Sequence, residues 1–140
     1  MMHHRLYTIA GFARYPSLDV PDRRFLSSGY YQLGIVAARA DLRALKAACA
    51  DLFARAYGHP GSDLSFPIRA EPAGREFVQA RTRERPNILI PRERRAIGIL
   101  RGDTVRVSGT LHPYQMDSRC GVRFLLEAVE FLAADTARAA

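Results

Sequence analysis

Only one stretch of the 140-residue chain carries a helical period, and that restricts the fold more than any other feature. In "ADLRALKAACADLFARAYGHP" the apolar residues Leu42, Leu45, Cys49, Leu52, Phe53 and Ala56 recur at intervals of three and four, giving a helix one apolar face. Asp41 is the expected N-cap, and Gly58 with Pro60 closes the helix. Such a face plugs a core. Elsewhere the regular signal has period two. In "DTVRVSGTL", residues 103–111, Val105, Val107, Gly109 and Leu111 face one way, and Thr104, Arg106, Ser108 and Thr110 the other.

The other strand signals lie at 5–15 ("RLYTIAGFARY", with Gly11 marking a bend), 29–38 ("GYYQLGIVAA") and 75–83 ("REFVQARTR"). "GVRFLLEAVEFL" forms the last strand, in a hairpin with 103–111 across the turn "HPYQMDSRC". "PSLDVPDR" and residues 59–74 read as loops, and "AADTARAA" (133–140) as a short frayed tail. One helix among glycine-marked strands predicts a mainly β single domain over 1–140, an OB-fold-like five-stranded barrel, with an open α+β sheet as the rival.

Cys49 and Cys120 are read as core thiols of a reducing cytoplasm, since they form no CxxC and no framework. With no apolar run of membrane-spanning length and no signal peptide at the start, a soluble intracellular protein is expected. His3, His4, His59 and His112 show no ligand spacing, so neither metal nor cofactor is expected. Asp19, Asp22 and Asp63 suit turns, and Glu127 and Glu130 fall on opposite faces of a strand. Ser27–Ser28–Gly29 lacks an activating base, and "GILRGDT" is no phosphate-binding loop. Nothing calls for catalysis.

What remains is charge. Lys and Arg total 21 against 14 acids, a net +7, and every basic residue except Lys46 is arginine, a usage that a GC-rich genome would also produce. A polyanionic partner fits this balance. Seven arginines fall within residues 81–101. Arg81, Arg83 and Arg85 alternate along a strand and its extension, roughly 6–7 Å apart on one face, close to the phosphate repeat of an extended single strand. Arg92, Arg94, Arg95 and Arg101 continue the charge past a segment that Pro86 and Pro91 are expected to hold open, and Arg106, Arg119 and Arg123 join from the final hairpin. Phe77, Tyr114 and Tyr30 or Tyr31 are the aromatics for base stacking. Phe77, Phe124 and one of the two tyrosines also suit the core, while Tyr114, beside Pro113, is expected to be exposed. A basic groove with aromatic platforms binds single-stranded nucleic acid without reading its sequence. A basic face that docks on an acidic protein partner, and a single-stranded RNA-binding module, remain alternatives. Leu125, Val129 and Phe131 suit either a homo-oligomer interface or packing under the helix.

Three blocks resemble a known series. "YYQLGIVAARADLRALKAACADLF" resembles an aromatic strand leading into a D-x-x-A-L-x-x-A helix. "REFVQARTRERPNILIP" resembles a strand in which an aromatic precedes A-x-[TS]-[KR]-x-R-P. "ILRGDTVRVSGTLHPYQMDSRCGVRFLLEAVEFL" resembles G-D-x-V-R-V-x-G-x-x-x-x-Y followed by a glycine-initiated strand. Over residues 29–132 the order is similar to phage single-stranded-DNA-binding proteins of the T-seven type. The resemblance implies an OB fold in the cytoplasm of a bacterial cell, encoded by a phage or mobile element. It also implies coating of single-stranded DNA in replication or recombination, beside the proteins of those processes. It would put DNA contacts on Arg81, Arg83, Arg85, Arg106 and Tyr114. One departure is plain: such proteins usually end in a strongly acidic tail, whereas "FLAADTARAA" has one Asp and one Arg.

Overall fold

The computed structural model describes residues 4–22 and 29–136. The elements are β1 (Arg5–Asp22), β2 (Tyr30–Val36), α1 (Arg39–Tyr57), β3 (Ile68–Ala70), β4 (Glu76–Thr82), β5 (Asn87–Leu89), a 3-10 turn (Arg92–Arg94), β6 (Thr104–Met116) and β7 (Arg119–Ala133). Antiparallel pairing runs β4-β2-β1-β6-β7, and a parallel contact between β4 and β7 at Arg81↔Leu125 closes the ring. The chain is therefore a five-stranded OB-like barrel and not an open sheet. Short β3 and β5 add to its rim, against β4 and β7.

Alternation in β6 puts Val105, Val107 and Leu111 inside at 0% exposure, where they meet Leu33, Ile35 and Val129 from neighbouring strands. Helix α1 enters between β2 and β3 and packs Leu45, Cys49 and Phe53 against that core. Its N-cap is Ala38, not Asp41. The carboxylate of Asp41 lies in the first turn, where it complements the positive end of the helix dipole. Gly58 ends the helix in the left-handed conformation, φ 75°. Coiling brings strands unusually close at two glycines. A Cβ on Gly11 would lie 2.4 Å from the Val36 carbonyl oxygen, and one on Gly109 would lie 2.0 Å from that of Leu125. The β6–β7 register shifts at Ser108/Gly109.

The structure corrects several sequence expectations. Residues 16–22 are not a loop; β1 runs to Asp22 through register shifts at Arg14/Ser17 and Ser17/Asp22, with Tyr15 at φ 47°. A bulge is where a strand tolerates proline, so Pro16 does not end it. The segment between Pro86 and Pro91 is not held open either. Asn87, Ile88 and Leu89 pair in parallel with Ala128, Val129 and Glu130. "HPYQM" belongs to β6, and the turn is confined to Asp117 and Ser118. Val129 is core, while Phe131 lies beneath the Arg94 guanidinium, 4.4 Å from its ring centroid. His3, Ser27–Ser28 and residues 137–140 of the tail lie outside the described residues. Among the described residues no helix is long and apolar enough to cross a membrane.

Candidate nucleic-acid interface

Strand parity decides which side chains of β2 and β4 face out. Leu33 and Ile35 point into the barrel with Val78 and Ala80, so Tyr30, Gln32 and Gly34 point outward beside Phe77, Gln79 and Arg81. At one end of this face two guanidinium groups lie against Tyr30. Arg83 Nη2 donates to its hydroxyl at 3.3 Å, and the Arg81 and Arg83 guanidinium carbons lie 5.0 and 5.4 Å from its ring centroid. The Arg83 hydrogen bond lowers the Tyr30 hydroxyl pKa below its ordinary value. Partial burial opposes this, and the charges of Arg83, Arg81 and Arg123 reinforce it. Arg123 belongs to the same neighbourhood and stacks over Tyr114 at 4.6 Å. The β6–β7 hairpin thus brings a second arginine–aromatic pair to the β2–β4 face. Each exposed stack contributes about 0.5–1 kcal/mol, enough to orient a guanidinium without neutralising it. Glutamines bridge the strands below: Arg69 donates to Gln79 at 3.2 Å, and Gln79 to Gln32 at 3.3 Å.

Phe77 presents little open surface. It is outward-facing but only 8% exposed, because its ring crosses β2 above Gly34 to meet Tyr15 edge-on, with centroids 5.5 Å apart. A side chain at Gly34 would block that path: a Cβ there would lie 2.9 Å from Phe77 Cδ2. Tyr15 is the exposed member of the pair, at 46%, with the Arg14 guanidinium 5.4 Å from its ring. Arg14 is itself ion-paired to Glu71, whose hydrogen bond raises the arginine's pKa. Sequence reasoning missed Phe12 and Tyr15. Tyr114 is half-buried within β6 rather than exposed in a turn, because the hairpin ladder continues past it to Met116↔Arg119.

The remaining arginines divide. Arg94 is structural. It donates to Asp103 Oδ2 at 2.8 Å and to the Gly98 carbonyl at 3.1 Å, and Asp103 is 0% exposed. The same carboxylate oxygen accepts the Leu100 N–H at 2.8 Å, and Oδ1 accepts the Asp135 N–H at 3.2 Å. This network pins the 3-10 turn to the barrel. Arg106 pairs with Glu130 at 2.7 Å. Arg85 donates to the Asp19 carbonyl at 3.1 Å, tying its loop to β1. Arg92, Arg95 and Arg101 are exposed on the 3-10 turn and the segment after it, and Arg119 is exposed at the hairpin tip. The structure therefore gathers Arg81, Arg83 and Arg123 with Tyr30 and Tyr114, and places Arg94 elsewhere in a closed network. Among the described residues no three His, Cys, Asp or Glu side chains gather as metal ligands would.

No family model matches the chain, and no curated protein sequence does. Solved structures do. The single-stranded DNA-binding protein from bacteriophage Enc34 in complex with ssDNA superposes with a TM-score of 0.70 at 16% identity, over 95% of this chain and 88% of that one. Its C-terminal truncation gives 0.65 at 19%, over 95% and 87%. The gp2.5 protein, a single-stranded DNA binding protein encoded by bacteriophage T7, gives 0.63 at 14%, over 93% and 87%. At these identities the likeness is one of fold: the chain is built on the same barrel as these phage single-stranded-DNA-binding proteins.

Proposed function

We propose that the chain is a non-catalytic protein that binds single-stranded DNA on the outer β2–β4 face and the adjoining β6–β7 hairpin. Arg81, Arg83 and Arg123 contact phosphates, and Tyr30 and Tyr114 take the bases. Arg85, Arg92, Arg95, Arg101 and Arg119 add charge at the edges, while Arg106, paired with Glu130, offers a polar contact. The observation that carries the reading is Tyr30 contacted by both Arg81 and Arg83 on the outer face of a barrel that superposes, over 95% of the chain, on a phage protein solved with ssDNA. Guanidinium groups already stacked on a ring hold phosphates beside that ring with little further ordering. Stacking at roughly 1–3 kcal/mol per base is tolerant of sequence, which suits the coating of transient strands in replication or recombination within a bacterial cytoplasm.

Fluorescence anisotropy with labelled oligo-dT, the matching RNA and a duplex, at several salt concentrations, tests this. Five or six phosphate contacts give a log–log salt slope of roughly −4 for a single strand. Preference for single-stranded DNA over both competitors supports the reading. Equal or tighter RNA binding makes the chain an RNA-binding module, and no binding at low salt leaves the basic face as a docking surface for an acidic protein.

A further inference from the structure

Beyond the Tyr15–Phe77 pair, where β1 meets the end of β2, lies an open hollow of about 540 Å³. Phe12, Arg14, Val36, Arg75, Arg101 and Asp135 are among the residues that line it. Phe12 is outward by strand parity, since Ile9 and Ala13 are buried, and it pairs with Val36 at 55% exposure. A single exposed phenylalanine is ordinary on a protein surface. Here it shares one concavity with three guanidinium groups and one carboxylate. Arg14 is held by Glu71, whereas the exposed Arg75 side chain makes no ion pair or hydrogen bond among the described residues. An aromatic face beside a surplus of cations is the chemistry that takes a nucleobase with its phosphate.

Position strengthens the assignment. The hollow and the Tyr30 cluster lie on the same outer face, at opposite ends of β2. Val36 is six residues from Tyr30, about 20 Å along the strand, or roughly three repeats of an extended single strand. Tyr15, with an exposed ring, stands between them. We propose that this hollow is a second nucleotide subsite, in which Phe12 stacks a base and Arg75 holds the adjoining phosphate. The proposal rests on the single-strand-binding reading and extends its footprint from the hairpin end of the barrel to the β1–β2 edge.

The test is a length series. Wild type and Phe12→Ala/Arg75→Ala are titrated with oligo-dT from about 4 to about 16 nucleotides, the range of site sizes found for OB folds. Both substitutions are at exposed positions, and a matching thermal melt confirms that the fold is kept. The expected result is unchanged affinity for the shortest oligomer bound and about ten-fold weaker binding of the longer ones. Equal affinities at every length overturn the subsite while leaving the Tyr30 site intact. An equal loss at every length shows that Phe12 belongs to the Tyr30 site and overturns a separate subsite. If wild type itself binds no single strand at low salt, the underlying reading falls and the subsite with it.

Discussion

Arg83 donates a hydrogen bond to the Tyr30 hydroxyl at 3.3 Å while Arg81 lies over the same ring, its guanidinium carbon 5.0 Å from the centroid. Two cations are thus held at one aromatic group, and neither forms an ion pair with a carboxylate among the described residues. The barrel has carboxylates to spend elsewhere: Arg94 has Asp103, Arg106 has Glu130 and Arg14 has Glu71. Arg81 and Arg83 instead lie against a tyrosine, and under the proposed function their charge meets an external anion.

Replacing both, Arg81→Ala/Arg83→Ala, is expected to weaken oligo-dT binding and flatten the log–log salt slope by about 1.4, two single-strand phosphate contacts. Tyr30→Phe keeps the ring and loses only the hydroxyl, so it is expected to bind nearly as wild type, whereas Tyr30→Ala loses roughly 1–3 kcal/mol of stacking. A salt slope unchanged in the double variant would place the phosphate contacts elsewhere.

Arg94 behaves differently from its neighbour Arg95. Arg94→Ala removes the guanidinium bonded to the fully buried Asp103 carboxylate, and loss of one partner from such a pair costs about 3–5 kcal/mol. Its Tm is expected to fall by roughly 10 °C. Arg95→Ala, at an exposed position, is expected to melt as wild type and to lose only long-range attraction for DNA. Thermal melts of the two variants side by side decide this, and equal Tm values would refute the structural role of Arg94.

Much of this was legible in the sequence, for identifiable reasons. Period two in Val105, Val107 and Leu111 and the helical spacing of Leu45, Cys49 and Phe53 both report burial, and both hold in the barrel. Charge density is a weaker guide because it carries no partner information. Arg94 and Arg95 are adjacent in sequence, yet only the fold of the tight 98–103 segment brings Asp103 to Arg94. The bulge at Tyr15 was hidden by Pro16 and Asp19, which signal turns equally well. Phe12 had a usable signal: it is out of phase with Ile9 and Ala13, and strand parity alone puts it outside. Phe77 shows the limit of parity, since it faces outward and is still buried by a residue from another strand.

The His4 and His112 rings lie against each other with centroids 3.9 Å apart, their planes tilted by 46°. Burial, then the neighbouring His4 charge, lowers the His112 pKa below the ordinary imidazole value, and Glu127 only partly opposes this. A histidine that resists protonation when folded binds more protons unfolded, so stability rises with pH across that window. The contribution is complete above about pH 6.5 and is lost as pH falls through the lower folded value. Denaturant midpoints measured between neutral and mildly acidic pH are expected to fall less steeply in His112→Gln than in wild type. Parallel curves would remove His112 from the account.

Gly34 couples the fold to the candidate interface. The Phe77 ring crosses β2 because Gly34 has no side chain: a Cβ would stand 2.9 Å from Phe77 Cδ2, 3.2 Å from the Arg14 carbonyl oxygen and 3.3 Å from Arg14 Cβ. The ring can move, but the Arg14 backbone is fixed in the β1–β2 ladder opposite Gly34. Gly34→Ala is therefore expected to cost about 1–3 kcal/mol as overpacking. It displaces Phe77, and with it Tyr15, which rests on that ring. A chemical-denaturation curve reads the first effect, and anisotropy with an oligomer long enough to span the face reads the second, with weaker binding expected. Phe77→Leu in the Gly34→Ala background reduces the clash and is expected to recover part of the stability without restoring affinity, because Tyr15 then loses its aromatic support. Recovery of both together would mean that the Phe77 ring matters only as volume, and that Tyr15 needs no partner to hold its place.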